Sequence, residues 1–287
     1  MNGLMMQQQL LISSLLVHAE RHHGEQEVVS RRVEGDLHRE TYRELASRSR
    51  CLAKALAALG VRPGDRVGTL AWNGHRHLEL YYAVSGSGAV LHTLNIRLHP
   101  EQLVYIINHA QDRVLLVDNV MARLIPALLP HCPTIEKVVI LGPTPQPVPG
   151  VLDYDTWISE FSSEDFIYPE IDEKAALGMC YTSGTTGNPK GVLYSHRSTV
   201  LHALVTALPS GLNFGPDDKV FPVVPMFHVM AWGLPWSIPM VGASMVLGSV
   251  FSDGASLAKL MQDESVTVTA GVPTLWMGLQ VELERAK

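Results

Sequence analysis

The feature that most constrains the fold of this chain is a regular alternation of helical and strand patterns. Short apolar runs alternate with segments in which apolar residues recur at helical spacing. The predicted strands are 66–71, 89–94, 114–117, 137–141 and 176–181, and the predicted helices are 41–59, 77–85, 100–109 and 122–129. Parallel strands need a crossover connection, which is usually a helix. We therefore predict an α/β fold with mostly parallel sheets covered by helices.

Local signals mark some of the boundaries. Thr41 and Glu44 have the spacing of a capping box, which predicts a helix start, and Gly60 predicts its end. A proline-rich segment interrupts the alternation at 142–150, where four of nine residues are proline. Such a segment is typical of a stiff surface connection.

Charge and cysteine content narrow the functional classes. The formal net charge is -6 and no basic block occurs, so a nucleic-acid partner is not expected. The three cysteines Cys51, Cys132 and Cys180 form no CxxC pair, and their number is odd. We expect buried thiols in a reducing cytoplasm rather than disulfides.

Two apolar segments raise the question of a membrane or export signal. The stretch 10–17 lacks a basic region before it, so a secretory signal is not predicted. The stretch 229–250 contains 22 residues without a charge, which is long enough to span a bilayer. It also contains Pro235 and Pro239 and several glycines, so we predict two or three short buried elements instead.

The segment that carries chemistry is a polar loop at 182–191, between the predicted strand 176–181 and an extended pattern at 192–194. It holds three glycines, three threonines, one serine and Lys190 in ten residues. Glycines let backbone N–H groups approach an anion, hydroxyls donate further hydrogen bonds, and a lysine adds positive charge. This composition predicts a polyphosphate site, although the spacing is not the Walker pattern. The alternative is a flexible turn with an exposed lysine.

The loop resembles a known signature. The string Tyr181-Thr-Ser-Gly-Thr-Thr-Gly-Asn-Pro-Lys-Gly191 is similar to that of the adenylate-forming (AMP-binding) superfamily, which includes acyl-CoA synthetases. Further similarity to medium- and long-chain fatty-acid–CoA ligases lies in Asn73, Arg76-His-Leu-Glu79, His92-Thr-Leu-Asn-Ile-Arg-Leu98, Asn108-His-Ala-Gln-Asp112, Val224-Pro-Met-Phe-His-Val-Met-Ala-Trp-Gly233 and Ala270-Gly-Val-Pro-Thr274.

The resemblance implies a reaction and its cosubstrates. Such ligases use ATP and Mg²⁺ to convert a fatty acid to an acyl-adenylate and then, with CoA, to an acyl-CoA. The nucleotide-binding residues it implies are Thr182, Ser183, Gly184, Thr185, Thr186, Gly187, Lys190 and Gly191. Thr185 or Thr186 would help to hold Mg²⁺.

The resemblance also assigns residues to the fatty acid. His228 would lie beside the acyl carboxylate and act in catalysis with Lys190, although a histidine among apolar residues is often a core residue. Trp232 would border the acyl tunnel, although its default interpretation is a core aromatic. Gly271, in the last similar segment, would line the acyl site.

The chain departs from this family in length. The segments that bind adenine and ribose, the hinge and the small C-terminal domain with its catalytic lysine are not found. We expect residues 1–287 to form an incomplete AMP-binding N-terminal domain with little activity alone. The expected partners are fatty acid, ATP and CoA. A homodimer and a peripheral contact with a membrane stay open.

Other interpretations stay open as well. The chain could be a non-catalytic remnant that binds fatty acid, a P-loop NTPase with a helix directly after Lys190, or a membrane protein anchored by 229–250. The histidine pairs His22 and His23, and His75 and His77, lack a zinc partner set. We predict that all four are surface histidines and expect no protein-bound metal other than Mg²⁺ with ATP.

Overall fold

The computed structural model describes residues 1, 3–143, 150–182 and 188–285. Its helices are α1 (Ile12–His22), α2 (Tyr42–Ala58), α3 (His75–Gly86), α4 (Pro100–Ala110), α5 (Ile125–Leu128), α6 (Tyr154–Ser159), α7 (His196–Ala207), α8 (Leu234–Val241), α9 (Gly254–Asp263) and α10 (Pro273–Arg285). Its strands are β1 (Glu27–Arg31), β2 (Leu37–Thr41), β3 (Arg66–Leu70), β4 (Val90–Thr93), β5 (Asp112–Asp118), β6 (Lys137–Leu141), β7 (Leu152–Asp153), β8 (Ala176–Thr182), β9 (Lys190–Ser195), β10 (Lys219–Pro222), β11 (Ser244–Leu247) and β12 (Val268–Ala270).

The strands form two mostly parallel sheets, as predicted. Among the described residues the larger sheet has the order β7-β6-β5-β3-β4-β8-β9, and the smaller sheet has the order β12-β10-β11-β1-β2. The antiparallel pairs are β8 with β9 and β1 with β2, and the other neighbours are parallel. In the smaller sheet, β1 therefore pairs with β11, although the two strands lie far apart in the sequence.

Helix α3 lies between the two sheets, and all of its residues are buried. Ser85 Oγ donates a hydrogen bond to Leu177 O of β8 at 2.7 Å, on the larger sheet. The backbone N–H of His75 donates to Ser30 Oγ of β1 at 3.2 Å, on the smaller sheet. Because this helix contacts protein on every side, its polar side chains must find hydrogen-bond partners within the protein.

The outer faces of the sheets are covered separately. Helices α4 and α5 pack on the larger sheet through Leu103, Ile106, Ile107, Ile125 and Leu128. Helices α9 and α10 pack on the smaller sheet through Leu257, Leu260, Leu275 and Leu279. The result is a layered arrangement in which each sheet has helices on both faces, typical of parallel sheets.

Most predicted boundaries are confirmed, with one correction. The capping box of Thr41 and Glu44 is present, and Gly60 follows α2 with a φ of 80°. The predicted helix 122–129 is wrong in half of its length: 119–124 and 129–131 form 3-10 turns around the short α5 at 125–128. Pro126 and Pro130 explain this, because each lacks an N–H to donate within a helix.

The charge-free stretch 229–250 forms several short elements, as predicted. It contains a turn at Val229–Gly233, helix α8 and strand β11. Within the described residues, no helix combines the length and the apolar character that crossing a bilayer requires. The segment 229–250 thus forms separate short elements and not one continuous helix.

The prediction that His75 and His77 lie at the surface is wrong. Both belong to α3 and are buried, and burial lowers the pKa of His77 to about 4. The His77 ring is hydrogen-bonded to Thr69 Oγ1 at 3.0 Å and to Trp72 O at 3.1 Å. The described residues contain no cluster of three or more histidine, cysteine or acidic side chains suited to a metal.

Glu40 on β2 is a buried carboxyl group whose two oxygens have no hydrogen-bond partner within the described residues. Burial raises the pKa of Glu40 to about 8, from 4.5 in the unfolded chain. Because the folded state holds this proton more tightly, stability falls as pH rises from about 4.5 to about 8. We expect the neutral variant E40Q to be more stable than the natural chain at pH 9 by on the order of 3 to 5 kcal/mol.

Urea denaturation at pH 5, 7 and 9 measures this difference. The matched control is E170Q, because Glu170 is exposed and its substitution should change stability little at any pH. An advantage of E40Q that stays constant from pH 5 to pH 9 would contradict the role assigned to burial.

Candidate active site

The parallel strands of both sheets point their carboxyl ends at a common crevice. In open α/β sheets, ligands bind outside these strand ends. The crevice has a volume of about 100 Å³. Its lining includes Trp72, Asn73, Arg97, Pro222, Val223, Pro225, Gly248, Ser249, Phe251 and Thr274. These residues follow β3 and β4 of the larger sheet and β10, β11 and β12 of the smaller sheet.

Asn73 joins the two sheets at this crevice. Its Nδ2 donates to Pro222 O at 3.1 Å and to Val224 O at 2.9 Å. Its Oδ1 accepts from the backbone N–H of Met226 at 2.8 Å. Asn73 is buried, and these bonds give its amide three backbone partners. The backbone that leads to His228 is therefore held by one side chain from the larger sheet.

Asp118, at the end of β5, fixes the neighbouring Trp72. Its carboxylate accepts a hydrogen bond from the backbone N–H of Trp72 at 2.6 Å. Burial raises the pKa of Asp118 to about 7, and the Trp72 hydrogen bond opposes that shift. The Trp72 ring meets Phe227 edge to face at a centroid distance of 5.7 Å. These contacts order one wall of the crevice.

Thr182 and Lys190 form the base of the predicted phosphate loop. Thr182 ends β8 and Lys190 begins β9, and the two are paired in the antiparallel register. Both are exposed. Because β8 is parallel to β4, Thr182 lies at the same sheet edge as the crevice. The predicted residues Ser183, Gly184, Thr185, Thr186 and Gly187 lie outside the described part of the chain.

Gly191 is the one glycine of this motif among the described residues, and its position has a packing reason. A Cβ atom there would meet the Tyr181 ring at 3.2 Å and Met179 Sδ at 3.3 Å. Tyr181 OH is hydrogen-bonded to His109 Nδ1 of α4 at 2.6 Å, and burial raises the pKa of Tyr181 to about 12. The tyrosine therefore ties the base of the loop to α4, and Gly191 leaves room for its ring.

A strand, and not a helix, follows Lys190. Strand β9 pairs antiparallel with β8, which confirms the extended pattern predicted at 192–194. In a P-loop NTPase, a helix begins at the phosphate-binding lysine. The interpretation as a P-loop NTPase is therefore wrong.

His228 begins an unusual turn after β10. Residues 229–232 have φ angles between 47° and 55°, and Gly233 has a φ of 73°. Each left-handed residue other than glycine costs about 1 to 2 kcal/mol. Such strain persists only where the surroundings hold it, and it occurs often at functional sites. His228 and Trp232 are exposed, and 40% of the Trp232 surface is accessible.

Gly271 directly follows β12, beside the segment that leads to His228. The backbone N–H groups of Val223 and Val224 both donate to Ala270 O, at 2.9 and 3.1 Å. A Cβ atom at Gly271 would lie 2.6 Å from the Trp276 ring, so only glycine fits without a shift. The structure thus places Gly271 at the carboxyl edge of the smaller sheet.

The predicted site residues are therefore only partly brought together. Thr182 and Lys190 are direct neighbours, and Gly271 and His228 belong to adjacent connections of the smaller sheet. The lining of the crevice among the described residues includes neither His228, Trp232 nor Gly271. Trp72 and Ser249 line the crevice and were not predicted from the sequence. Trp72 and Asn73 directly follow the predicted strand 66–71, and this position was the signal that could have indicated that they line the crevice.

Solved structures of acyl-CoA ligases share the fold described above. The anthranilate CoA ligase AuaEII in complex with anthranoyl-AMP superposes with a TM-score of 0.86 at 22% identity, over 96% of this chain and 52% of that chain. This chain thus has the fold of the N-terminal part of an acyl-CoA ligase. The AMP-binding enzyme family matches residues 16–287. This chain belongs to the AMP-binding enzyme family, which confirms the resemblance seen in the sequence.

Several curated relatives match almost the whole chain. A medium-chain-fatty-acid–CoA ligase from Ectopseudomonas oleovorans is 49% identical over 97% of this chain and 52% of its own length. A 3-methylmercaptopropionyl-CoA ligase from Ruegeria lacuscaerulensis is 50% identical with the same two coverages. A long-chain-fatty-acid–CoA ligase from Thermus thermophilus is 47% identical over 98% of this chain and 51% of its own length. The chain spans about half the length of the curated relatives it matches.

Proposed function

We propose that this chain takes part in the ATP-dependent activation of a medium- or long-chain fatty acid, first to the acyl-adenylate and then to the acyl-CoA. The observation that carries the proposal is the pairing of Thr182 with Lys190 at the carboxyl edge of the larger sheet. This pairing supports a phosphate loop in a chain of the AMP-binding enzyme family. The relatives that act on medium- and long-chain fatty acids support the substrate class.

In the first step, a carboxylate oxygen of the fatty acid forms a bond to the α-phosphorus of ATP. The bond from that phosphorus to the pyrophosphate oxygen breaks, and pyrophosphate leaves. Lys190 would neutralise charge on the leaving pyrophosphate, and Thr182 would donate a hydrogen bond. His228 would lie beside the carboxylate that attacks. Catalysis of this kind is mainly positioning and charge stabilisation.

The second step and the metal are proposals for the whole protein. The sulfur of CoA forms a bond to the acyl carbon, its proton is lost to solvent, and AMP leaves. Mg²⁺ would neutralise further charge on the phosphates when it is bound with ATP. Its proposed ligands Thr185 and Thr186 lie outside the described residues, so no step is assigned to them.

Apolar burial would select the fatty acid. The charge-free segment after His228 contributes many buried side chains near Trp232, including Met230, Ala231, Leu234, Trp236 and Ile238. Each buried methylene contributes about 0.8 kcal/mol, so eight methylenes would contribute roughly 6 kcal/mol. We propose that Trp232 and Gly271 border the acyl chain.

The remaining parts of the proposal rest on the sequence alone. They are an AMP-binding N-terminal domain at 1–287 with its phosphate loop at 181–191, a homodimer, and a peripheral contact with a membrane. The three free cysteines support a reducing compartment, for which we propose the cytoplasm.

The test is ATP–pyrophosphate exchange in a chimera that joins this chain to the part of the Ectopseudomonas oleovorans ligase beyond the matched 283 residues. We expect exchange that depends on decanoate. We expect K190A to lower kcat/KM for ATP about 10- to 100-fold, because a charge-assisted hydrogen bond contributes about 1.5 to 3 kcal/mol.

The matched control is K174A, since Lys174 is exposed and precedes β8 at the opposite end of the strand from Thr182. Full exchange activity in K190A would exclude the proposed phosphate role. Binding of decanoate without any exchange would favour a non-catalytic fatty-acid-binding protein. A higher kcat/KM with 3-methylmercaptopropionate than with decanoate would replace the proposed substrate class.

A further inference from the structure

Met230 is the residue of the left-handed turn whose side chain reaches the larger sheet. Its side chain is buried, and a Cβ atom added at Gly178 would lie only 2.2 Å from Met230 Cε. Thr93 Oγ1 lies 3.9 Å from Met230 Sδ. The methionine therefore contacts β8 and β4 of the larger sheet, in space that exists because residue 178 is glycine.

The two predicted acyl-site residues flank this anchor symmetrically. His228 lies two residues before Met230 and Trp232 lies two residues after it, and both are exposed. An exposed side chain gains little from burial that would fix its position. The backbone of the turn must therefore set where both side chains point, and that backbone is itself in a disfavoured conformation.

We propose that Met230 is a positioning residue: its side chain, seated against Gly178, holds the left-handed turn and thereby orients His228 and Trp232 toward the acyl substrate. The inference rests on the proposed function for the identity of that substrate. It assigns no contact between Met230 and the reacting atoms. The ordinary alternative is a methionine that only fills the core, whose loss would lower stability without moving Trp232.

The first experiment reports the conformation of the turn and requires no enzymatic activity. The 287-residue chain is labelled with 5-fluorotryptophan, and the ¹⁹F resonance of Trp232 is assigned with W232F. In G178A the added methyl group must displace Met230, so we expect the Trp232 resonance to shift or broaden. The double variant G178A/M230A removes the clash but also the anchor, so its resonance should stay displaced, as in M230A alone; a return to the original position would mean that only the clash moved Trp232. M230L, which conserves volume, should leave it nearly unchanged.

A second experiment connects the turn to catalysis in the active chimera. We expect G178A to lower kcat/KM for decanoate roughly tenfold to hundredfold, as small misplacements at active sites do. We expect the KM for ATP to change less than about twofold. M230L should keep nearly full activity. If Met230 only filled the core, G178A would instead impair the kinetics with decanoate and with ATP to a similar degree, in parallel with its loss of stability.

The outcomes separate this inference from the proposed function. An unchanged Trp232 resonance in G178A and in M230A would overturn the positioning role, even if the chimera is fully active. An inactive chimera with the expected resonance changes would overturn the proposed function and leave the structural role of Met230 intact. If G178A fails to fold, M230A provides the same comparison, because it removes the anchor without adding a clash.

Discussion

Replacing Asn73 with aspartate should lower the free energy of unfolding by about 3 to 6 kcal/mol at pH 8. The amide Nδ2 is the donor to Pro222 O and Val224 O, and a carboxylate cannot replace it. N73D would therefore remove this donor from two carbonyl groups and place a negative charge against them. Only the hydrogen bond from the Met226 N–H would survive. Urea denaturation followed by circular dichroism measures the loss.

The matched control for N73D is N95D, at the end of the neighbouring strand β4. Asn95 Oδ1 accepts a hydrogen bond from the backbone N–H of Arg97 at 3.0 Å, and a carboxylate can still accept it. We expect N95D to change stability by less than about 1 kcal/mol. The loss in N73D should also shrink toward pH 4, where the new carboxyl group becomes protonated. Equal stabilities of N73D and N95D at pH 8 would contradict the proposal that the hydrogen bonds of Asn73 hold the backbone at 222–226.

The alternation of patterns predicts the larger sheet well but not the smaller one. Strands β3 to β6 follow one another with helices or short turns between them, so local periodicity is sufficient to find them. In the smaller sheet, by contrast, β1 pairs with β11, for example Val28 with Met245. No local pattern encodes a pairing between segments so far apart. Strands β1 and β2 and helix α9 were accordingly not predicted.

The candidate site shows the same division. The sequence predicts an extended element on each side of the loop at 182–191, and β8 and β9 confirm both elements. The role of Asn73 has no local signal, since its partners lie 149 to 153 positions away. The left-handed turn at 229–233 could not be predicted either, because valine, methionine, alanine and tryptophan all disfavour a positive φ. Tertiary packing overrides the local preference there.

Arg48 of α2 neutralises a carboxylate inside the fold, and its loss should be the second most damaging substitution. Arg48 Nε donates to Glu79 Oε1 at 2.7 Å, and the Glu79 side chain is fully buried. Tyr154 OH donates to the other Glu79 oxygen. Burial raises the pKa of Glu79 to about 7, while Arg48 lowers it. R48M would leave this carboxylate unpaired, and we expect a loss of about 3 to 5 kcal/mol at pH 8.

The pH dependence and a double variant distinguish a lost ion pair from lost packing. The pKa of Glu79 is already raised above its unfolded value of 4.5, so its contribution to stability falls as pH rises through about 7. Without Arg48 that pKa rises further, and the deficit of R48M should therefore be small at pH 5 and large at pH 8. R48M/E79Q should recover most of the loss, since residue 79 then carries no charge. The control R43M breaks an exposed pair with Glu25 and should cost at most about 1 kcal/mol. An R48M deficit that is equal at both pH values would mean that packing, and not the charge of Glu79, makes Arg48 necessary.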